Sequence, residues 1–185
     1  MSEPVKITTP LTNEAVANLN AGDSVLLSGV VYTARDAAHA RMIDLLERGE
    51  DLPIDLRGQV IYYVGPTPPK PGRVIGSAGP TTSGRMDSFT PQLLAAGLKG
   101  AIGKGLRDQG VIDALKEHTG VYFAATGGAA ALLAQKVISC EVVAYEDLGC
   151  EAIHRLEVRD LPLVVINDCR GGDFYRQNQA AYSVK

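Results

Sequence analysis

The sequence lacks several features that would assign a protein to a functional class at once. It has no sustained run of basic residues and its formal net charge is −3, so a nucleic-acid-binding surface is not indicated. No apolar run approaches the roughly 20 residues that a membrane-spanning helix requires. The opening residues, MSEPVKITTP, lack the charged and apolar regions of a secretory signal. We therefore expect a cytoplasmic protein that binds neither membrane nor nucleic acid.

Cysteine and histidine are scarce, and their positions are scattered. The cysteines are Cys140, Cys150 and Cys169, and the histidines are His39, His118 and His154. The cysteine spacing matches neither a disulfide framework nor the close spacing of zinc or iron–sulfur ligand runs. We expect three incidental thiols in a reducing compartment. A self-contained metal site is therefore not expected in this chain.

The sequence does have a regular alternation of apolar strands, small-residue loops and amphipathic helices. Its 185 residues are 45% hydrophobic and 21% charged, which is typical of a soluble globular protein and predicts one domain over residues 1–185. Strands are predicted at 24–33, 59–64, 73–78, 99–105, 121–126, 138–145, 152–160 and 161–168. Helices are predicted at 34–49, after residue 85, at 107–118 and at 129–137. The pattern predicts an α/β fold with a mostly parallel central sheet, to which the C-terminal strands add a second, antiparallel β layer.

The loops after the predicted strands contain the residues that indicate function. In open α/β sheets, ligands bind beyond the carboxyl ends of the strands. The loops of interest are Thr33–Asp36, Gly79–Asp87, Gly100–Gly105 and Thr126–Gly128. The first three contain the cations Arg35, Arg85 and Lys104, and the last offers bare backbone at a helix start. If the strands are parallel neighbours, the three cations meet at one edge of the sheet.

The stretch GPTTSGRMD, residues 79–87, places Arg85 in what the pattern predicts to be the first turn of a helix. The positive end of the helix dipole repels a cation there, so a bound anion would resolve the conflict. Thr81 or Thr82 precedes the helix, where the ordinary role of a hydroxyl is to cap it.

Each cation also has a simpler explanation. Arg35 could form an ion pair with Asp36 or another neighbour, and Lys104 could be a solvated surface charge. Taken together with the glycines, the cations favour a small-anion site without specifying the anion. Known phosphate motifs do not fit, because GAIGKG has Gly105 where a Walker loop requires Ser or Thr. No catalytic triad or carboxylate pair can be assembled from the spacing either.

Five ordered blocks of sequence resemble a known family. They are TARDAAHAR, GPTTSGRMDSFTP, KGAIGKG, TGGAAALLA and YEDLGCEAIHRLEV. Together they resemble the β subunit of class I iron–sulfur fumarate hydratase, which is also the C-terminal domain of single-chain members and is shared with L-tartrate dehydratase. The resemblance covers nearly the whole chain and implies a swivelling β/β/α domain.

This resemblance implies a hydro-lyase that interconverts (S)-malate with fumarate and water. It implies that a [4Fe–4S] cluster is carried by a separate α subunit, in a complex expected to be α2β2, and that none of this chain's cysteines is a ligand. Thr81 then matches the base that removes the C3 proton. Arg35, Thr82, Arg85 and Lys104 match residues that contact the substrate carboxylates and hydroxyl.

Two other hypotheses remain open from the sequence. The first is the β subunit of L-tartrate dehydratase or of a related hydroxydiacid dehydratase, which shares the same scaffold. The second is a module without catalytic activity that binds small anions or supports a partner. The sequence shows no general base next to Thr81, so how its hydroxyl would be activated is not evident from it.

Overall fold

The structure, a computed structural model, describes residues 3–126 and 128–182. Its strands are β1 (Val5–Thr8), β2 (Ser24–Thr33), β3 (Val60–Tyr62), β4 (Gly100–Gly103), β5 (Val121–Ala124), β6 (Val137–Ala144) and β7 (Ile153–Asn167). Its α-helices are α1 (Asn13–Ala17), α2 (Asp36–Glu47), α3 (Thr90–Ala95), α4 (Gln109–Glu117), α5 (Ala130–Ala134) and α6 (Phe174–Tyr182). Two 3₁₀ helices span Ser83–Met86 and Glu146–Glu151. Within these ranges no helix has both the length and the apolar character needed to cross a lipid bilayer.

All seven strands belong to one sheet, in the order β1-β2-β3-β4-β5-β7-β6. The consecutive pairs from β1 to β5 are parallel, whereas β7 runs antiparallel to β2, β5 and β6. This confirms the predicted α/β class with a mostly parallel sheet. Parallel neighbours bring the carboxyl ends of β2, β3 and β4 to the same side of the molecule.

Strand β7 closes the sheet upon itself. It pairs with β2 along most of its length and with β5 near its end, so the pairing runs from β2 through β3, β4, β5 and β7 back to β2. The antiparallel strands are therefore part of the same sheet as the parallel ones. The prediction of separate strands at 152–160 and 161–168 is wrong, because the chain stays paired with β2 through Asp160 (φ 48°) and Pro162. The amide of Asp160 donates to Ser28 Oγ (3.0 Å) at this irregular point.

Alternating side chains of the inner strands fill two hydrophobic clusters. Val60 and Tyr62 of β3 pack with apolar residues of β1, β2, β5 and β7. Ile61 and Tyr63 pack in the second cluster with residues of α2, α3 and α4. Strands with apolar residues on both faces are typical of parallel sheets covered by other elements.

The predicted strand at 73–78 is wrong, and the segment is part of a loop between β3 and the 3₁₀ helix Ser83–Met86. Its backbone makes no strand pairing: Gly76 and Ser77 bond to Thr67, and Ala78 N donates to Ala130 O (3.2 Å). Gly76 N donates to Thr67 O (3.1 Å), Thr67 N donates to Ser77 O (3.1 Å), and Ser77 N donates to Thr67 Oγ1 (2.8 Å). A side chain at Gly76 would collide with Thr67. The apolar run predicted a strand because its buried members, Ile75 and Ala78, face the core from this loop.

The predicted helices at 34–49, 107–118 and 129–137 are confirmed as α2, α4 and a shorter α5. The helix predicted to contain Arg85 in its first turn does not form as predicted. Only the short 3₁₀ helix contains Arg85, and α3 begins afterwards at Thr90. The C-terminal segment, whose structure was not predicted, forms α6.

Candidate active site

The candidate site is built on the carboxyl ends of β2, β3 and β4. The segment around Thr81 lies between the ends of β3 and β4 and is bonded to both. Thr81 N donates to Tyr63 O (2.8 Å), Lys104 N donates to Thr81 O (3.2 Å), and Ser83 N donates to Lys104 O (2.9 Å). We call this region the site edge, comprising residues 33–36, 63–65, 81–85 and 103–105.

Arg85 contacts two residues of the site edge. Its Nη2 donates to Thr81 Oγ1 at 2.7 Å and lies 3.5 Å from Asp36 Oδ2. The Arg85 side chain is 46% exposed, so its remaining N–H groups are accessible to a ligand. Asp36 is in the first turn of α2, where the helix dipole stabilises a carboxylate. Arg85 is therefore held between a hydroxyl oxygen and a carboxylate, with part of its guanidinium facing solvent.

The dipole argument and the predicted cap are both wrong. The helix that contains Arg85 is a four-residue 3₁₀ helix, and Arg85 is in its last turn. Thr82 occupies the N-cap position without a side-chain capping bond, and the hydroxyl of Thr81 accepts from Arg85 instead. Asp36 supplies the negative charge that the sequence argument assigned to a bound anion.

Arg35 lies at the N-cap position of α2 and forms an ion pair with Glu151. Its Nη2 is 3.1 Å from Glu151 Oε1, and the two side chains are 23% and 26% exposed. The ion-pair interpretation of Arg35 is thus confirmed, and its partner is Glu151 instead of the adjacent Asp36. Arg35 Nε is buried and has no hydrogen-bond partner among the residues that the structure describes.

Lys104 and Thr82 are exposed and lie side by side through a parallel backbone bridge. The structure thus brings all five predicted site residues to the site edge, as expected for parallel neighbouring strands: Arg35, Thr81, Thr82, Arg85 and Lys104. The remaining loop of interest, at 126–128, includes Gly127, which is outside the described residues. The helix after it is short and begins at Ala130.

A buried arginine beneath the site edge is a residue that the sequence analysis missed. Arg107 has a fully buried side chain, and its Nε donates to Asp87 Oδ1 at 2.6 Å. Its Nη2 donates to Thr90 Oγ1 (2.8 Å), and its guanidinium carbon lies 5.3 Å and 4.9 Å from the ring centroids of Tyr63 and Tyr122. Arginine is rarely buried, so nothing in the sequence KGLRD distinguishes Arg107 from a surface residue.

Ser83 and Tyr122 connect the loop at 81–85 with the loop at 103–105 through buried hydroxyl groups. The Ser83 hydroxyl and the Tyr122 hydroxyl are 2.9 Å apart, and Tyr122 donates to Gly105 O at 2.9 Å. Burial raises the pKa of Tyr122, so its hydroxyl remains a donor. Any side chain at Gly103 would collide with Ser83 Oγ. The glycine is therefore required by space at this position.

His39 is buried beneath Arg35. Its Nδ1 lies 2.8 Å from Arg35 O, and since a carbonyl only accepts, the ring carries its proton on Nδ1. Burial lowers the His39 pKa to about 4, so the ring is neutral near pH 7. Its ring packs edge-on against Tyr63 at 5.4 Å between centroids.

No group of three or more His, Cys, Asp or Glu side chains that could hold a metal ion occurs within residues 3–126 and 128–182. Cys140 and Cys169 are half-buried and Cys150 is exposed, on separate elements of the fold. The cysteines of this chain therefore do not fit a [4Fe–4S] cluster.

Comparison with known proteins identifies the family. The family model described as Fumarase C-terminus matches residues 1–178. This chain belongs to the Fumarase C-terminus family. The residues of the site edge all lie within the matched range.

Relatives of this Fumarase C-terminus chain include both long and short proteins. The aerobic class I fumarate hydratase of Escherichia coli K12 is 45% identical over 155 residues, which cover 83% of this chain but only 28% of that protein. Fumarate hydratase 2 of Leishmania major is 39% identical over 163 residues, again covering 28% of the relative. A putative L(+)-tartrate dehydratase subunit beta of Methanocaldococcus jannaschii is 38% identical over 179 residues, covering 93% of this chain and 92% of the relative. The chain thus spans about a quarter of the fumarate hydratases and nearly all of the tartrate dehydratase subunit.

Proposed function

We propose that this chain is the substrate-binding β subunit of a hydro-lyase that interconverts (S)-malate with fumarate and water. The observation that carries the proposal is the hydrogen bond from Arg85 to Thr81 at the site edge. The similarity to class I fumarate hydratases over 83% of the chain supports this choice of reaction.

In the proposed mechanism, Thr81 as its alkoxide removes the C3 proton of malate, the electron pair of the C3–H bond forms the C2=C3 double bond, and the C2–O bond breaks. The departing hydroxyl takes up a proton from solvent and leaves as water, and Thr81 later returns the C3 proton to solvent. A threonine hydroxyl is a poor base unless its oxygen anion is stabilised. Arg85 Nη2 donates to Thr81 Oγ1 at 2.7 Å, and a cation that donates to an oxygen favours the charged form of that oxygen. Arg85 thus provides the activation that the sequence alone did not reveal.

The other cations of the site edge are proposed to bind the substrate carboxylates. Removal of a proton next to a carboxylate moves negative charge onto that carboxylate, and preorganised cations stabilise it there. Arg35 and Arg85 offer planar guanidinium groups suited to carboxylates, whereas Lys104 offers a compact charge. Thr82, exposed beside Lys104, is assigned to the substrate hydroxyl or a carboxylate oxygen.

The proposed enzyme needs a partner chain. The [4Fe–4S] cluster is assigned to an α subunit, since the cysteines described here do not form a site for it, and the complex is proposed to be α2β2 in the cytoplasm. The similarity over nearly the full length of a protein named as a β subunit supports a separate α chain. We propose that the fold is a swivelling β/β/α domain. Its closed sheet and the helices α2, α3 and α4, which pack on one face, are compatible with this assignment.

A second candidate is the β subunit of an L-tartrate dehydratase. The observation that favours it is the match to nearly the whole of the Methanocaldococcus jannaschii subunit. Both candidates use the same cations, because malate and tartrate are both hydroxydiacids.

The decisive experiment assays this chain alone and with its reconstituted partner under anaerobic conditions, using (S)-malate, L-tartrate and related hydroxydiacids. We expect no turnover by the chain alone and dehydration of malate by the complex. Preference for tartrate would establish the second candidate. Dehydration by the isolated chain would contradict the proposal that a partner chain is needed for catalysis. A complex that is inactive on every hydroxydiacid would favour the alternative of an anion-binding or scaffold module without catalytic activity.

A further inference from the structure

Two residues outside the predicted site enclose the side chain of Arg35. We propose that Glu151 and Gly65 are positioning residues that fix the Arg35 guanidinium at the site edge for carboxylate binding. The inference rests on the proposed function for the identity of the ligand. The enclosure of Arg35 itself is a property of the structure.

Glu151 holds the guanidinium on one side. Its Oε1 lies 3.1 Å from Arg35 Nη2, and both side chains are about three-quarters buried. An ion pair at this depth is screened less than one at the surface. Because only Nη2 is engaged by Glu151, the pair orients the guanidinium without covering all of its donors.

Gly65 provides space on the other side. A Cβ at this position would lie 2.9 Å from Arg35 Nη1, 3.3 Å from Arg35 Cδ and 3.2 Å from Cys150 O. Gly65 is not among the glycines with positive φ, so a side chain would be compatible with its backbone conformation. A side chain at Gly65 would therefore have to displace the Arg35 guanidinium from its observed position.

The segment that contains Glu151 also contacts α2, the helix that begins directly after Arg35. Arg41 of α2 donates to both carboxylate oxygens of Asp147, at 2.8 and 2.5 Å. Its guanidinium carbon also lies 5.1 Å from the centroid of the Tyr145 ring. Asp147 and Glu151 lie on either side of a kink at Gly149 (φ 59°), so the contacts of Arg41 hold the first part of this segment next to α2, and Glu151 follows directly after the kink.

The enclosure has a thermodynamic consequence for ligand binding. Arginine has many rotamers, and restricting them on binding costs conformational entropy. Glu151 and Gly65 restrict Arg35 before a ligand arrives, and the burial of Arg35 Nε agrees with a fixed orientation. Loss of either contact should therefore weaken the binding of a dicarboxylate through Arg35.

The test uses Glu151→Gln and Gly65→Ala in the reconstituted complex, with fumarate as the probe. The first variant removes the ion pair with little change in shape, and the second displaces the guanidinium without changing charge. We expect each to raise the KM for fumarate about tenfold, with a smaller change in kcat. In an Arg35→Lys background, Glu151→Gln should add little, because coupled residues are not additive.

Matched controls are available elsewhere in the chain. Glu141→Gln removes the exposed ion pair between Glu141 and Arg155 on β6 and β7. Gly110→Ala adds a methyl group that would lie at an ordinary 3.5 Å from Asp108 Oδ1. Both controls should retain the fumarate KM of the wild-type complex.

A second readout is independent of catalysis. In ¹⁵N NMR spectra of the full chain, the Arg35 Nε–H signal, assigned by its loss in Arg35→Lys, should exchange slowly with water. Exchange should be at least several-fold faster in Glu151→Gln and Gly65→Ala than in the controls. Unchanged exchange in both variants would overturn the inference.

The two readouts separate the inference from the proposed function. If the wild-type complex does not use fumarate but the Arg35 exchange responds, positioning of Arg35 stands and the proposed function fails. If the wild-type complex uses fumarate and the variants have its KM, Glu151 and Gly65 do not act through Arg35. A lower KM in Glu151→Gln would mean that Glu151 competes with substrate, which also overturns the inference.

Discussion

Arg85 Nη2 donates a 2.7 Å hydrogen bond to Thr81 Oγ1. One cation therefore touches the candidate base directly, while the rest of its guanidinium remains open for a carboxylate. The bond joins residues four positions apart in one loop, and Asp36 of α2 contacts the same Arg85 nitrogen from outside that loop. Within the proposed function, this pair links proton removal to carboxylate binding.

The first prediction concerns the charge on Arg85. Arg85→Ala removes both the donor to Thr81 and a carboxylate ligand, so we expect kcat/KM of the complex for malate to fall at least about a hundredfold. Arg85→Lys should restore part of the loss, since Lys keeps the charge but not the planar fork. Steady-state kinetics of the reconstituted complex will measure both. Near wild-type activity in Arg85→Ala would favour the scaffold hypothesis.

The second prediction concerns the hydroxyl of Thr81. Thr81→Val keeps the shape but removes the oxygen, and we expect kcat to fall about 10²–10⁴-fold, the usual contribution of general base catalysis. Thr81→Ser keeps the hydroxyl and should retain much more activity. Exchange of the malate C3 proton with deuterated solvent provides a separate measure of proton removal. If Thr81→Val and Thr81→Ser are equally active, another residue is the base.

The third prediction concerns the stability of the loops beneath the site. Arg107→Met leaves Asp87 without its buried partner, and breaking a buried ion pair costs about 3–5 kcal/mol of unfolding free energy. Urea denaturation measures this loss. The control is Arg57→Met, because Arg57 and Asp55 form a pair of similar geometry at the surface. Surface pairs contribute little, so the control should unfold near the wild-type midpoint. An equal effect of both variants would contradict the structural role of Arg107.

The fourth prediction concerns pH. The pKa of His39 falls from 6.5 to about 4 on folding because burial disfavours the charged ring. The unfolded chain therefore binds more protons between these values, and the contribution of neutral His39 is complete above pH 6.5 and is lost as pH falls toward 4. The slope reaches about 1.4 kcal/mol per pH unit at most. Urea midpoints from pH 7 to 4 should fall less steeply for His39→Asn than for the wild-type chain. Parallel curves would show that the pKa of His39 is the same in the folded and unfolded states.

The strands and longer helices could be predicted because each has a local signature. Residues 24–33 are rich in β-branched residues, and α2 shows helical periodicity, so local pattern and final structure agree. The run at 73–78 has the same composition as a strand, but its hydrogen bonds go to Thr67, Ala130 and the Tyr62 hydroxyl and not to the backbone of a neighbouring strand. Local sequence does not reveal which partner a backbone will find.

The candidate site also has some features that local sequence predicts and others that it does not. The cations could be predicted because glycine-rich turns after apolar strands isolate them. The contacts of Arg35 with Glu151 and of Arg107 with Asp87 could not, since each joins residues from distant parts of the chain. Asp36 was visible in the sequence, yet its pairing with Arg85 depends on the parallel order of β2 and β3.

The late position of β7 has a consequence for biosynthesis. While the nascent chain is still emerging from the ribosome, β2 and β5 lack the strand that joins them, and their apolar faces remain open to chaperones or to aggregation. A premature stop before β7 would therefore abolish the site even though Arg35, Thr81, Arg85 and Lys104 had all been translated.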